Sequence, residues 1–256
     1  MELDGEPVVA PVGLGPTGYG HFTTMRVESY RVRGLSGHLD RLARDARVMF
    51  STALDTDRIR ALVRRVCDGP PVLVRVTVFD PGGDPWQPGA GRPRILVGTR
   101  PVPPPGPPLR LRCATYRREL PVVKHLGLAP ALYERRAAQL AGFDDAVFVD
   151  RAGRICEGPT WNIGFLAGDT LVWPRGDKLP GITAGLLDLA APAVGLRTAQ
   201  RDLARTDLPE VRAAFVTSAS VGLRPVAAVD SVPLRADEPE LAALAAAYEA
   251  IEGDEL

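Results

Sequence analysis

The stretch Asp150-Arg-Ala-Gly-Arg-Ile-Cys-Glu-Gly-Pro-Thr-Trp-Asn-Ile163 sets a turn, a carboxylate and an amide just ahead of an apolar run. Gly153 marks the turn, and Trp161 to Phe165 reads as a strand. Between them Glu157 falls at a strand end beside Gly158. A carboxylate there is costly to bury without a cationic partner, because desolvation disfavours its charged form. A protonated heterocyclic nitrogen would be such a partner, and an exposed glutamate on an edge strand is the plainer alternative.

Working outward, Thr170 to Trp173 reads as a further strand. Leu179-Pro-Gly-Ile-Thr183 then runs into an apolar helix starting near Thr183, with the threonine as its N-cap. The amides of a helix start can hold an anion, although most capped helices bind nothing. Phe215-Val-Thr-Ser-Ala-Ser-Val-Gly222 is an apolar strand opening into small and hydroxyl-bearing residues that could face the same anion. Upstream lie a helix around Ala129 to Ala141 and a strand at Ala146 to Val149. Further back, Val72-Leu-Val-Arg-Val-Thr-Val-Phe79 alternates as a strand, with Arg94 to Gly98 as its partner. Gly37 to Phe50 carries Leu39, Leu42, Ala46 and Met49 at helical spacing, and Asp57 to Val66 forms a second short helix. Pro101-Val-Pro-Pro-Pro-Gly-Pro-Pro108 can continue neither a ladder nor a helix, so it divides the chain into residues 1–108 and 109–256. A helix from Glu238 to Ile251 ends an α/β (α+β) chain of two domains.

Lys plus Arg and Asp plus Glu both total 31, so no net field gathers nucleic acid or an anionic membrane. Cys67, Cys113 and Cys156 are odd in number and scattered, which argues against a disulfide framework, a zinc site or any other metal centre. An acidic start and the lack of a long apolar run predict a soluble, cytoplasmic protein. Of the 31 cationic residues only Lys124 and Lys178 are lysine, leaving 29 arginines. Arginine cannot condense with a carbonyl, whereas a desolvated lysine can shed its proton and do so. Lys124, in Pro121-Val-Val-Lys-His-Leu126, has apolar neighbours, while Lys178 lies in a polar run. The bland alternative is an arginine-biased composition with two ordinary surface lysines.

In sequence order, Lys124, the Glu157-Gly-Pro-Thr-Trp-Asn162 run, Leu179-Pro-Gly-Ile-Thr183 and the Ser-rich strand before Pro225-Val226 together resemble the class IV aminotransferases, the fold-type IV pyridoxal-phosphate enzymes. The resemblance runs from about Gly18 to Leu234 and includes Phe22-Thr-Thr-Met-Arg-Val27 and His38-Leu-Asp-Arg-Leu42. It implies a small N-terminal α+β domain, a larger C-terminal pseudo-barrel domain and a homodimer. It also implies pyridoxal 5'-phosphate as cofactor, with Lys124 as its covalent anchor and proton shuttle and Glu157 beside the ring nitrogen. Arg41, Ile182 and Thr183 would hold the phosphate, helped by Ser218 and Ala219, with Thr160 and Asn162 near the cofactor.

The pattern breaks at Ala129, where branched-chain aminotransferases carry a tyrosine five residues after the lysine. Lys124-His125-Leu126 looks more like the lyase and D-amino acid branches. Arg26, Arg75, Arg100, Arg117 and Arg118 are substrate-carboxylate candidates by charge and neighbourhood alone. The leading expectation is transfer of an amino group from an amino acid to a 2-oxo acid. The alternatives are elimination of pyruvate from aminodeoxychorismate to give 4-aminobenzoate, and a binding domain that kept the fold and lost the chemistry.

Overall fold

The structure is a computed structural model that describes residues 2–7 and 18–256; Met1 and residues 8–17 lie outside it. In chain order the first elements are β1 (Glu2–Leu3), β2 (Glu6–Pro7), β3 (Gly20–Glu28), β4 (Arg31–Val32), α1 (Leu35–Phe50), α2 (Thr56–Arg65), β5 (Val72–Phe79) and β6 (Arg94–Pro101). Then follow β7 (Leu109–Thr115), α3 (Ala129–Leu140), β8 (Asp145–Val149), β9 (Asn162–Ala167), β10 (Thr170–Pro174) and α4 (Ile182–Ala190). The chain ends with β11 (Arg197–Arg201), β12 (Ala213–Ser218), β13 (Gly222–Val229), β14 (Val232–Pro233), α5 (Pro239–Glu249) and β15 (Asp254–Glu255).

Two compact units result. The first comprises Met1–Pro103, Val123–Gly127 and Glu252–Leu256, and the second comprises Pro104–Val122 and Leu128–Ile251. The proline run suggested an undivided second part from residue 109 onward. Two short segments from beyond it pack with the first unit instead, each for a backbone reason. In the antiparallel first sheet, ordered β15-β4-β3-β5-β6-β1-β2, β4 pairs with β3 only at Val27 and Glu28. The remaining edge of β3 would leave unpaired backbone groups. Phe22 N–H donates to the Lys124 carbonyl at 2.9 Å and Leu126 N–H to the Gly20 carbonyl at 2.8 Å, which covers that edge. On the other side of β4, β15 pairs with it.

One face of this sheet carries Met25, Val27, Val74, Val76, Val78, Ile95 and Val97, and these pack in one core with Leu39, Leu42 and Met49 of α1 and Ile59 and Val63 of α2. Valine at every second position, with Arg75 and Thr77 between, is why the ends of β5 coincide with the sequence reading. Asp55 caps α2 by accepting the Arg58 N–H at 2.9 Å. The buried face of α1 is mixed, because His38, Arg41 and Asp45 share it with the leucines.

The second unit holds a sheet in the order β11-β10-β9-β12-β13-β7-β8, with β14 added to β13. Arg154 to Glu157 draws its two edges together. Ile155 bridges to Val149 at the end of β8, its N–H donates to the Leu203 carbonyl just past β11 at 2.7 Å, and Arg154 bridges to Ala204. The sheet thus closes through a narrow strip rather than a full ladder. Inside it lie Leu111, Val147, Ile155, Ile163, Phe165, Val172, Val216 and Val226. Leu187 of α4 and Leu241 and Leu244 of α5 share a second core with Leu166, Leu171 and Phe215, and α3 packs Ala131 and Ala138 with Ala146 and Phe148.

Candidate active site

In the first unit the segment carrying Lys124 is bonded on both sides. Besides the carbonyl bond from Phe22, the Lys124 N–H donates to Asp45 Oδ2 at 2.9 Å. The half-buried side chain brings Nζ to 4.9 Å from the centroid of the Phe22 ring. Arg75, on β5, stacks on the same ring at 3.7 Å, and burial together with Arg100 lowers its pKa. Arg100 sits opposite Leu73 in the register of β5 and β6 and is exposed. Arg26 is paired with Glu28 at 2.5 Å.

Arg41 is buried on α1. Its Nη2 donates to Thr23 Oγ1 at 2.6 Å and lies 3.3 Å from His38 Nδ1, while Thr23 Oγ1 stands 2.8 Å from the same nitrogen. Arginine can only donate, and Arg41 Nη2 reaches His38 Nδ1 as well, so that nitrogen is the acceptor, the threonine hydroxyl donates to it, and the His38 proton resides on Nε2. Burial, Arg41 and Lys124 push His38 well below its ordinary pKa, so the ring is neutral. Burial pulls Arg41 down to about 10, with Asp45 opposing, which leaves it charged at neutral pH. Its Nε has no hydrogen-bond partner among the described residues. A buried guanidinium with a donor to spare suits an anion.

His21 is fully buried, its pKa is lowered by burial to about 4, and neither ring nitrogen has a partner among the described residues. His21 and His38 therefore bind fewer protons folded than unfolded, where imidazole titrates near 6.5. Stability is complete above that value and falls as pH drops toward 4. We expect denaturant midpoints to show a loss of about 2 kcal/mol from His21 between about pH 7 and pH 5, with His38 adding in the same direction. The slope should shrink in His21→Leu, and the same slope in both proteins would refute the assignment.

In the second unit Glu157 is buried in the closing strip, past the end of a strand rather than on one. Its backbone carbonyl accepts the Phe148 N–H at 2.7 Å. Oε1 accepts Arg118 Nε at 2.7 Å and Oε2 accepts the Leu179 N–H at 3.1 Å. The two side chains are 4% and 3% exposed, so this is a buried ion pair and not an edge-strand glutamate. Arg118 also reaches the Pro159 carbonyl at 3.4 Å. Gly158 is required here, since a Cβ would lie 2.3 Å from the Trp161 ring. That indole donates to Asp145 Oδ2 at 2.8 Å; Arg135 grips both Asp145 oxygens and Thr160 Oγ1, which accounts for the Thr160 hydroxyl within the loop.

Asn162 Nδ2 donates to the Leu179 carbonyl at 2.9 Å, and a Cβ on Gly181 would meet Asn162 Oδ1 at 2.0 Å. The asparagine thus ties down the segment entering α4 and leaves a cradle only glycine fits. The helix starts at Ile182 with Gly181 as N-cap, which corrects the expectation for Thr183: its side chain is buried within the first turn and makes no cap. Ser218 and Ser220 are hydrogen-bonded at 3.0 Å across the turn that contains Ala219. Arg117 pairs with Asp177 at the surface, and Ala129 is exposed at the first position of α3. Lys178 donates to the Pro174 carbonyl, and burial lowers its pKa.

Lys124, Arg41, Arg26, Arg75 and Arg100 therefore belong to the first unit, and Glu157, Thr160, Asn162, Ile182, Thr183, Ser218, Ala219, Ala129, Arg117 and Arg118 to the second. Sequence reasoning missed Asp45 and the pairing of Arg118 with Glu157. Asp45 lies four residues after Arg41 and seven after His38, a spacing that a helical projection puts on one face with Leu42 and Met49. Nothing local reveals the Arg118 pair, whose members are 39 residues apart.

The fold is shared with solved structures along nearly its whole length. A branched-chain aminotransferase from the archaeon Thermoproteus uzoniensis, solved with norvaline, superposes with a TM-score of 0.85 at 20% identity, covering 97% of this chain and 92% of that one. A hypothetical aminotransferase from Mycobacterium tuberculosis, in an alpha-ketoglutarate and PMP bound form, gives 0.81 at 24% identity over 96% and 93%. Among curated proteins, a probable branched-chain-amino-acid aminotransferase from Synechocystis is 25% identical over 114 residues, 44% of this chain. That match spans only 37% of the relative's own length. The family model for amino-transferase class IV matches residues 20–229, from the first residue of β3 to the last of β13, and so takes in the lysine segment, the closing strip and the start of α4. This chain belongs to the amino-transferase class IV family.

Proposed function

We propose that the protein is a pyridoxal-phosphate-dependent aminotransferase that moves an amino group between an amino acid and a 2-oxo acid. The observation that carries this reading is Lys124. One of only two lysines is held through both its N–H and its carbonyl, with its amine half-buried over an aromatic ring.

The residues present suit the cofactor. Bound pyridoxal phosphate supplies an aldehyde that condenses with primary amines and a ring that accepts electrons. Lys124 would hold it through Nζ and then carry a proton on and off the substrate Cα. The family resemblance assigns the phosphate to Arg41, which has a spare Nε donor in the first unit, and to the Ile182 and Thr183 amides and the Ser218–Ala219 turn of the second. Glu157, kept in place by Arg118 and the Leu179 N–H, would accept from the ring nitrogen. Arg75 is the best-supported carboxylate candidate because it shares the Phe22 ring with Lys124, whereas Arg26, Arg117 and Arg118 are committed to acidic partners. A homodimer, implied by the family resemblance, and the cytoplasmic location expected from the sequence complete the reading. No described helix is long and apolar enough to cross a membrane.

The test is a single turnover without an acceptor. The protein, loaded with pyridoxal phosphate and given a panel of amino donors one at a time, should convert its cofactor to pyridoxamine phosphate and release the matching 2-oxo acid. Return of pyridoxal phosphate with pyruvate, or no spectral change with any donor, overturns the assignment.

A further inference from the structure

Asp45 is fully buried on α1, where its neighbours along the helix face are Leu42, Ala46 and Met49. A carboxylate in such a place costs free energy unless every oxygen is bonded, and an alanine or serine would pack there at lower cost. Its two oxygens serve different partners. Oδ1 accepts Arg44 Nε at 2.9 Å and Nη2 at 2.7 Å, from a side chain that is 43% exposed and so meets water on its other side. Oδ2 accepts the main-chain N–H of Lys124 at 2.9 Å. The carbonyl of the same residue is taken by the Phe22 N–H of β3. The peptide that bears the amine is thus clamped between a helix and a strand, and the bond from its N–H to the helix is charge-assisted.

We propose that Asp45 is a positioning residue for Lys124: it fixes the backbone from which the amine projects and holds it in register with Arg41, one turn earlier on the same helix. The bond spans 79 residues of sequence, so it sets a distance that no local preference of Val123–Gly127 would set. Arg44 fixes the carboxylate's rotation by binding the oxygen that Lys124 does not use. Asparagine cannot replace it, because its amide group would present donors either to Arg44 or to the Lys124 N–H. The proposal rests on Lys124 being the reactive amine.

The experiment uses the full chain and the variants Asp45→Asn and Asp45→Ala. Hydrogen exchange is followed in cofactor-free protein, and the pH titration of the visible absorption band after addition of pyridoxal phosphate. Losing a bond to a charged acceptor should speed exchange of Val123–Gly127 amides roughly 10-fold or more, while amides of β5 keep their protection. The midpoint of the visible titration should move with it, because the amine is no longer held in one orientation. The proposal is overturned if Val123–Gly127 exchange is unchanged, or if it speeds up only together with β5 and the midpoint stays put, the signature of a residue that merely supports the fold. Should Asp45→Ala not fold, the near-isosteric Asp45→Asn decides. A wild-type protein that forms no visible band with pyridoxal phosphate would count against the function assigned to Lys124, whereas the exchange result would still report on the Asp45 bond.

Discussion

Lys124→Ala should leave a folded protein that no longer links covalently to pyridoxal phosphate and whose turnover falls by about 10³-fold or more. The size of the effect follows from the two tasks assigned to one amine, anchoring the cofactor and moving the substrate proton. The only other lysine, Lys178, belongs to the second unit and spends its ammonium on the Pro174 carbonyl, so it offers no substitute. The main-chain bonds to Asp45 and Phe22 use no side-chain atom of residue 124 and should survive the substitution. Steady-state assays with an amino-donor panel, together with mass spectrometry after borohydride reduction, measure both consequences. Retention of the covalent adduct or of turnover within tenfold of wild type would remove the lysine from its role.

Arg118→Met is expected to cost about 3–5 kcal/mol of stability, since it removes the cation paired with a carboxylate that is 3% exposed. The Leu179 N–H remains on Oε2, but the cation that faced Oε1 is gone. Adding Glu157→Gln to the same protein should recover part of the loss, because a neutral amide is cheaper to bury than an unpaired charge. Glu157→Gln by itself leaves the Arg118 charge uncompensated and should also destabilise, while the cofactor still binds and turnover drops. Urea midpoints at constant m-value give the three differences. A single Arg118→Met within about 0.5 kcal/mol of wild type would mean the pair is solvated in solution.

Where a segment sees one environment along its length, the sequence announced it. β5 repeats valine at every second position because that face of its sheet meets α1 and α2, and α1 repeats its leucines because it lies on that face. Besides the two-residue β14, three strands of the second unit are not legible in the sequence, for physical reasons. β11, Arg197–Arg201, pairs with β10 alone and is mostly exposed, so it has no apolar alternation to read. β13 contains Pro225, which argues against a central strand, yet it sits between β12 and β7 with a register shift between Val226 and Ala228. β7 begins directly after the proline run, whose prolines have no N–H to give a ladder or a helix. The site divides in the same way. Lys124, Glu157 and Arg41 stand in motifs and could be nominated from residue type and order, and burial of Glu157 excludes the exposed alternative. The groups that hold them, Asp45, Thr23 and Arg118, reveal themselves only once distant chain segments meet.

The two units exchange short segments of chain, with consequences for any attempt to take the molecule apart. The polypeptide passes from one unit to the other four times, at Pro103, Val122, Gly127 and Ile251. No single scission releases either unit whole. A fragment ending at Pro103 would lack the segment that covers β3 and the strand that covers β4, and it would present bare backbone edges ready to pair with other copies. It would also lack its lysine, so the half of the chain that binds the amine in place cannot be inherited, expressed or shuffled apart from the half that encodes it.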